Sequence, residues 1–252
     1  MNDRLKRIWQ DGETAHGGWL GLYDDYAASI MGDVGFDYLV VDMQHGSADY
    51  TQATRLLQSV SISASVPLVR VPWNDPSIIG RVLDAGALGI IVPMVNSAEE
   101  AAAAVQACRY APEGARSWGP TRAARLHGDY QPTAVNDVVA CIPMIETARA
   151  VEAIDEILAV AGVDAIYVGP ADLSLTYWLP PAGDNEGPFV NALETIVDAC
   201  TRHDVVPGVH ANSSLAAERR SQGFRMITIC SDDQALAQGA AAMLRDGTAG
   251  SR

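Results

Sequence analysis

The chain has 252 residues, 48% of them hydrophobic, enough for one large domain with a substantial core. Its formal net charge of −14 disfavours nucleic acid and anionic membrane as partners, because both need clustered basic residues. No apolar run is long enough to span a bilayer and no basic, apolar leader opens the chain, so a cytoplasmic protein is expected.

The polar segment Asn2 to Gln10 is predicted as a short surface helix and carries Lys6, the only lysine. Schiff-base chemistry needs a buried amine at the end of a core strand. Lys6 does not offer one, so lysine-imine catalysis is not expected. Strands are then predicted near Gly18–Leu22, Tyr38–Asp42, Pro67–Arg70 and Gly89–Val92. A helix follows over Ala98–Cys108, with Ser97 as cap and Glu99 and Glu100 in its first turn. Next come a strand at Val139–Ile145, a helix at Thr147–Ala159 with Thr147 as cap, and a strand at Ala165–Val168. Strands at Val206–Val209 and Met226–Cys230 alternate with helices at Leu215–Gln222 and Gln234–Leu244. Two segments rich in Gly and Pro, Tyr110–Pro132 and Thr176–Pro188, read as long loops and not as linkers, because the rhythm resumes after each.

Strand–helix alternation means parallel strands joined by right-handed crossovers, and eight strands in about 250 residues match a (β/α)8 barrel filling one domain, 1–252. A doubly wound open sheet is the alternative, weakened because no Gly-x-Gly-x-x-Gly turn follows the first strand. Cys108, Cys141, Cys200 and Cys230 are scattered with no Cys-x-x-Cys pair, and read as reduced core thiols.

A parallel barrel keeps its site at the C-terminal ends of the strands. Polar residues there are few: Asp42 and then His45, Arg70, Glu146, Asp172, His210, Ser231 and Asp232. Glu146 or Asp172 alone reads equally well as a helix-terminal carboxylate. Together, at neighbouring strand ends, they form a donor pair for a hard divalent cation. His45, with Asp42 nearby, is a candidate general acid/base or a buried loop histidine. Arg70 needs a partner, either a structural carboxylate or a carboxylate substrate. His210 reads as a satisfied loop histidine.

Several ordered segments carry a family likeness: Phe36–Asp42 with His45, Pro67–Trp73, Val82–Ala87, Val92–Val95, Ser97–Glu99, Arg109-Tyr110 with Pro112-Glu113-Gly114, Ile145-Glu146-Thr147 and Gly169–Ser174. On these, over nearly its whole length, the chain resembles the HpcH/HpaI aldolases, metal-dependent pyruvate aldolases on a (β/α)8 barrel of the phosphoenolpyruvate/pyruvate type. The resemblance implies reversible cleavage of a 4-hydroxy-2-oxo acid into pyruvate, or a close 2-oxo acid, and an aldehyde through a metal-stabilised enolate. It implies Glu146 and Asp172 as ligands of Mg²⁺, Mn²⁺ or Co²⁺, with no organic cofactor. Arg70 would hold the keto oxygen. His45, working with Asp84, would move the proton of the aldol hydroxyl, and Asp42 would orient His45. The Gly169-Pro170-Ala171-Asp172 backbone would hold the substrate carboxylate. Also implied is a homo-hexamer, a trimer of dimers, in which a neighbouring subunit completes the site and the C-terminal helix packs on a neighbour.

Some residues depart from the family pattern. Gln44 precedes His45 where Glu is usual, and Met144 stands where Gln is common. The loop around Trp118 and Arg122 is bulkier, and both residues are candidates for the acceptor pocket or for plain solvated loop. Phosphorylated substrates are not expected, because the loops after strands seven and eight lack a glycine-rich cradle. Two other readings stay open: a citryl- or malyl-thioester lyase on the same barrel, and a non-catalytic barrel that binds a metal or keto acid.

Overall fold

Alternation along each strand sorts its side chains between two layers. In the computed structural model, which describes residues 1–46 and 48–249, eight parallel strands close into a barrel: β1 (Ala15–Leu20), β2 (Tyr38–Asp42), β3 (Val66–Arg70), β4 (Gly89–Val92), β5 (Ala140–Ile145), β6 (Ala165–Val168), β7 (Val206–His210) and β8 (Met226–Ser231). Neighbours pair in chain order and β8 closes on β1, so the (β/α)8 reading holds and the open sheet does not. The expected domain includes Ser47 and residues 250–252, which lie outside the described residues. Among the described residues no helix is long and apolar enough to cross a membrane.

Tyr38, Val40, Val66, Leu68, Ala140, Ile142, Met144, Ala165 and Tyr167 share the barrel interior. The residues between them, such as Leu39, Val41, Val69, Cys141, Ile145, Ile166 and Val168, pack against the helices outside. The same parity carries Trp19, Asp42, Arg70, Glu146 and His210 into the interior layer at the C-terminal rim. Deeper inside, Tyr167 Oη donates to Thr228 Oγ1 at 2.5 Å, and Tyr38 Oη lies 3.0 Å from the same hydroxyl. Three strands are thereby tied through one threonine.

The helix Arg4–Gln10 closes the opposite end, with Leu5 and Trp9 added to the interior cluster. Lys6 Nζ lies 2.8 Å from Asp164 Oδ1, and Arg109 Nη2 lies 2.6 Å from Asp164 Oδ2. Asp164 immediately precedes β6. The only lysine is therefore fixed at the N-terminal end of the barrel, away from the strand ends where chemistry occurs.

Seven predicted strands fall within two residues of the observed ones. The first differs: β1 begins at Ala15, and Gly21 and Leu22 lie beyond its end. Gly17 and Gly18 suit this strand because the fully buried Tyr38 ring fills the space a side chain would need; a Cβ on Gly17 would stand 2.0 Å from Tyr38 Cε2. The predicted helix at Thr147–Ala159 is two short helices, Ala148–Glu152 and Ile154–Leu158, divided at Ala153. The 110–132 segment contains a helical turn at Ala123–His127, and the 16-residue helix Pro188–His203 went unread behind its Gly-Pro start.

Gly17→Ala should destabilise the fold by about 1–3 kcal/mol, the usual cost of forcing a methyl into a filled core. Equilibrium urea unfolding measures this, and an unchanged midpoint would mean that Tyr38 has room to move.

Candidate active site

The register Asp42↔Arg70 sets the two residues side by side at the ends of β2 and β3. Arg70 Nε donates to Asp42 Oδ1 at 2.8 Å and Nη2 to Oδ2 at 2.5 Å, a bidentate fork. Trp19 Nε1 donates to Asp42 Oδ2 at 3.1 Å, and the Arg70 guanidinium lies 4.9 Å from the centre of the Trp19 ring. The Gln44 and His45 backbone N–H groups also donate to Asp42 Oδ1. Burial opposes ionisation of Asp42, but the Arg70 pair, the indole and the Gln44 N–H outweigh it and leave the pKa below its ordinary value. Asp42, expected to orient His45, accepts from the His45 backbone N–H and fixes Arg70. Five N–H donors from four residues fill the carboxylate, and the exposed His45 stands at the cavity rim.

Glu146, just past β5, is 1% exposed and forms no ion pair among the described residues. Its Oε1 accepts from the Met94 N–H at 2.7 Å. Met94 has φ 57, a left-handed backbone that costs a non-glycine residue about 1 kcal/mol or more. Asn96 Nδ2 donates to the Met94 carbonyl at 2.6 Å, and Thr147 Oγ1 donates to Asn96 Oδ1, which closes a loop of bonds around Glu146. Gly169 makes the close approach possible, since a Cβ there would meet Glu146 Oε2 at 2.2 Å. Burial pushes the Glu146 pKa up to about 7, with the Asp172 charge adding and the Met94 N–H and Arg70 opposing.

Asp172 lies in the first turn of the helix Pro170–Thr176. The N–H groups of Ala171 and Asp172 bond to nothing among the described residues, and with Gly169 and Pro170 they line the same cavity as Arg70, His45 and Glu146. This cavity has a volume of about 1070 Å³. Among the described residues no three His, Cys, Asp or Glu side chains cluster as a cation cage. Glu146 and Asp172 both line the cavity, and among the described residues Glu146 Oε2 accepts no hydrogen bond. Two hard carboxylates, one of them buried without a countercharge, suit a Mg²⁺-like ion that keeps its other positions for water and substrate oxygens.

Three predicted residues lie elsewhere in the chain. Asp84, the last residue of the helix Pro76–Asp84, accepts from Arg116 Nη2 at 2.7 Å and lines a separate cavity of about 570 Å³. Trp118 is exposed and packs on Tyr110 and Tyr130. Arg122 Nη2 donates to Gln58 Oε1 at 2.6 Å. Conversely, sequence reading passed over Trp19, Met94 and Tyr167 and set His210 aside. His210 lines the main cavity with its ring edge-on to Trp19 at 4.9 Å and Nδ1 3.3 Å from Tyr167 Oη. Burial draws its pKa down to about 4; the Arg70 charge adds to this and Asp42 opposes it. Strand parity places Trp19, Tyr167 and His210 inside the barrel, whereas Met94 lies in the loop after β4, beyond the reach of parity.

The barrel and the rim carboxylates define a class that the comparisons identify. A family model for HpcH/HpaI aldolase/citrate lyase matches residues 16–238. The chain belongs to this family and is a carbon–carbon lyase of the aldolase type. It is similar to a hydroxypyruvate/pyruvate aldolase from Rhizorhabdus wittichii, 34% identical over 98% of this chain and 99% of that one. It is also similar to a 4-hydroxy-2-oxo-heptane-1,7-dioate aldolase from Klebsiella pneumoniae, 35% identical over 96% of this chain and 93% of that one. A crystal structure of a family protein from Burkholderia cenocepacia superimposes with a TM-score of 0.90, at 30% identity over 98% and 99% of the two chains.

The depressed His210 pKa has a thermodynamic consequence. Between pH 6.5 and 4 the unfolded histidine takes up a proton that the folded one refuses, so stability falls as pH drops through this window. His210→Phe should show a shallower fall in urea midpoint from pH 6.5 to 4 than the wild type. Parallel slopes would show that His210 titrates alike in both states.

Proposed function

We propose that the protein reversibly cleaves a 4-hydroxy-2-oxo acid into pyruvate, or a close 2-oxo acid, and an aldehyde, with Glu146 and Asp172 holding a divalent cation such as Mg²⁺, Mn²⁺ or Co²⁺. The observation that carries the reading is the buried Glu146 carboxylate, unpaired and raised in pKa, in one cavity with Asp172 and Arg70. When bound, the cation supplies Lewis acidity toward oxygen atoms of the substrate. The Arg70 fork leaves Nη1 free of Asp42, and this N–H donates to the keto oxygen as negative charge develops there. The Ala171 and Asp172 amides bind the substrate carboxylate. His45 moves the proton of the aldol hydroxyl at the rim. Lys6 takes no part, being bound to Asp164 at the other end of the barrel.

The same reading includes a cytoplasmic homo-hexamer, a trimer of dimers, in which a neighbouring subunit brings Asp84, Trp118 and Arg122 to the cavity. Their separation from it within one subunit supports this. So does the helix Asp232–Thr248, which exposes Leu236, Met243 and Leu244, apolar side chains that packing on a neighbour would cover. Multi-angle light scattering should return a mass several times that of the 26.7 kDa chain; a monomer at assay concentration would remove this part of the proposal.

Exchange of the pyruvate methyl protons with deuterium, followed by NMR, tests the chemistry without knowledge of the aldehyde. It should require Mg²⁺ or Mn²⁺ and stop with chelator. Glu146→Gln should abolish it in a folded protein. Arg70→Lys, which cannot form the fork, should slow it by roughly 10²–10³-fold, the scale for loss of an oxyanion donor. Full exchange in Glu146→Gln would overturn the site assignment.

A further inference from the structure

The Glu146 side chain accepts one hydrogen bond among the described residues, from the Met94 N–H, and Met94 makes it from a backbone at φ 57. A methionine does not favour that conformation, because its Cβ crowds the backbone there. Left to itself the loop would relax, and the N–H would turn away from Oε1. The bonds around Met94 show what prevents this.

Both polar groups of the Met94 backbone are engaged. The N–H goes to Glu146, and the carbonyl accepts from Asn96 Nδ2 at 2.6 Å. A carbonyl only accepts, so the Asn96 amide must turn its nitrogen toward Met94 and its oxygen the other way. There Asn96 Oδ1 accepts from Thr147 Oγ1, which itself accepts from the Ala150 N–H at 3.0 Å. The Asn96 backbone N–H donates to Glu100 Oε2 at 2.6 Å, in the first turn of the helix Ala98–Cys108. Asn96 does not cap that helix, since Ser97 Oγ fills the place by accepting from the Glu100 N–H. The amide instead joins the loop after β4 to Thr147, the residue that follows Glu146 in the chain.

We infer that Asn96 is a positioning residue for the divalent-ion site: it clamps Met94 in the left-handed conformation, the Met94 N–H then fixes the Glu146 carboxylate through Oε1, and Oε2 is left unbonded for the cation. This rests on the cation site proposed above and adds the residue that orients one of its ligands.

Binding of Mn²⁺ to the full-length protein, read from the EPR signal of the free ion, tests this without turnover. The wild type should bind Mn²⁺, and Glu146→Gln should not. Asn96→Ala should weaken binding by about 10–100-fold, the range for removing the support of a metal ligand. Met94→Gly supplies the discriminating background, because glycine takes a positive φ at no steric cost. The clamp then has little left to hold, so Asn96→Ala should cost severalfold less affinity there than beside the native Met94. A merely structural asparagine would cost the same in both backgrounds. Thr147→Val, which removes the hydroxyl on Asn96 Oδ1 and keeps the side-chain shape, carries the same comparison if Asn96→Ala does not fold. Mn²⁺ binding that is absent, or that Glu146→Gln leaves intact, would overturn the cation site and this inference with it. Glu146-dependent binding that is unchanged in the folded Asn96 or Thr147 variant would overturn the inference alone, as would equal losses in the two backgrounds.

Discussion

The paired Asp42 and Arg70 side chains are the joint on which the rest of the site hangs. A buried ion pair is a weak source of stability, because desolvation offsets most of its attraction, but removing one partner leaves a costly stranded charge. What this pair supplies is position. Register places the two residues opposite each other at the rim, and the fork admits one orientation of the guanidinium. The same carboxylate anchors the Trp19 indole and the backbone that carries His45. Trp19 in turn packs on Tyr167 and His210. One salt bridge therefore links Arg70, the loop that carries His45 and, through Trp19, the rings of Tyr167 and His210. A change at Asp42 would disturb all three.

Glu146 shows the opposite solution at the same rim. Both carboxylates are buried, yet Asp42 is held below its ordinary pKa and Glu146 is raised to about 7. The difference lies in their partners. Asp42 has an arginine fork, an indole and two amides, whereas Glu146 has one backbone N–H on Oε1. The chain sets unusual geometry around that single bond, with Met94 in a left-handed backbone and Gly169 leaving room for the carboxylate. A carboxylate buried so carefully with no cation of its own is the observation on which the proposed divalent-ion site rests. This agrees with the placement of Lys6, which neutralises Asp164 at the far end of the barrel.

Much of this was legible in the sequence, and the limits have physical causes. Short apolar runs separated by helical stretches identified the barrel, because a strand buried on both faces needs such runs. Strand ends then led directly to Asp42, Arg70, Glu146 and Asp172. The first strand was misplaced because its two glycines look like a turn, and only the Tyr38 ring explains why they belong in a strand. That error hid Trp19, whose inward parity depends on the register. Asp84 came from the family pattern and Trp118 and Arg122 from a loop that departs from it, none of them from strand ends, and they are the residues that lie away from the cavity within one chain.

His210 marks a different limit. A lone histidine in a sequence is most often a satisfied loop residue, and nothing in its neighbours Val209 and Ala211 argues otherwise. Its character comes from three hydroxyls and rings distant in sequence: Tyr167 orders its proton, Thr228 orders that of Tyr167, and Trp19 shields the ring. The direction of that donor chain decides which ring nitrogen of His210 carries the proton. Residue types name the groups that can bond, but the direction of each proton is a property of the assembled network. The half of the site that resembles the family is fixed by carboxylates and an arginine that any reading of the strand ends finds. The network at His210 depends on proton direction inside the barrel, about which periodicity carries no information.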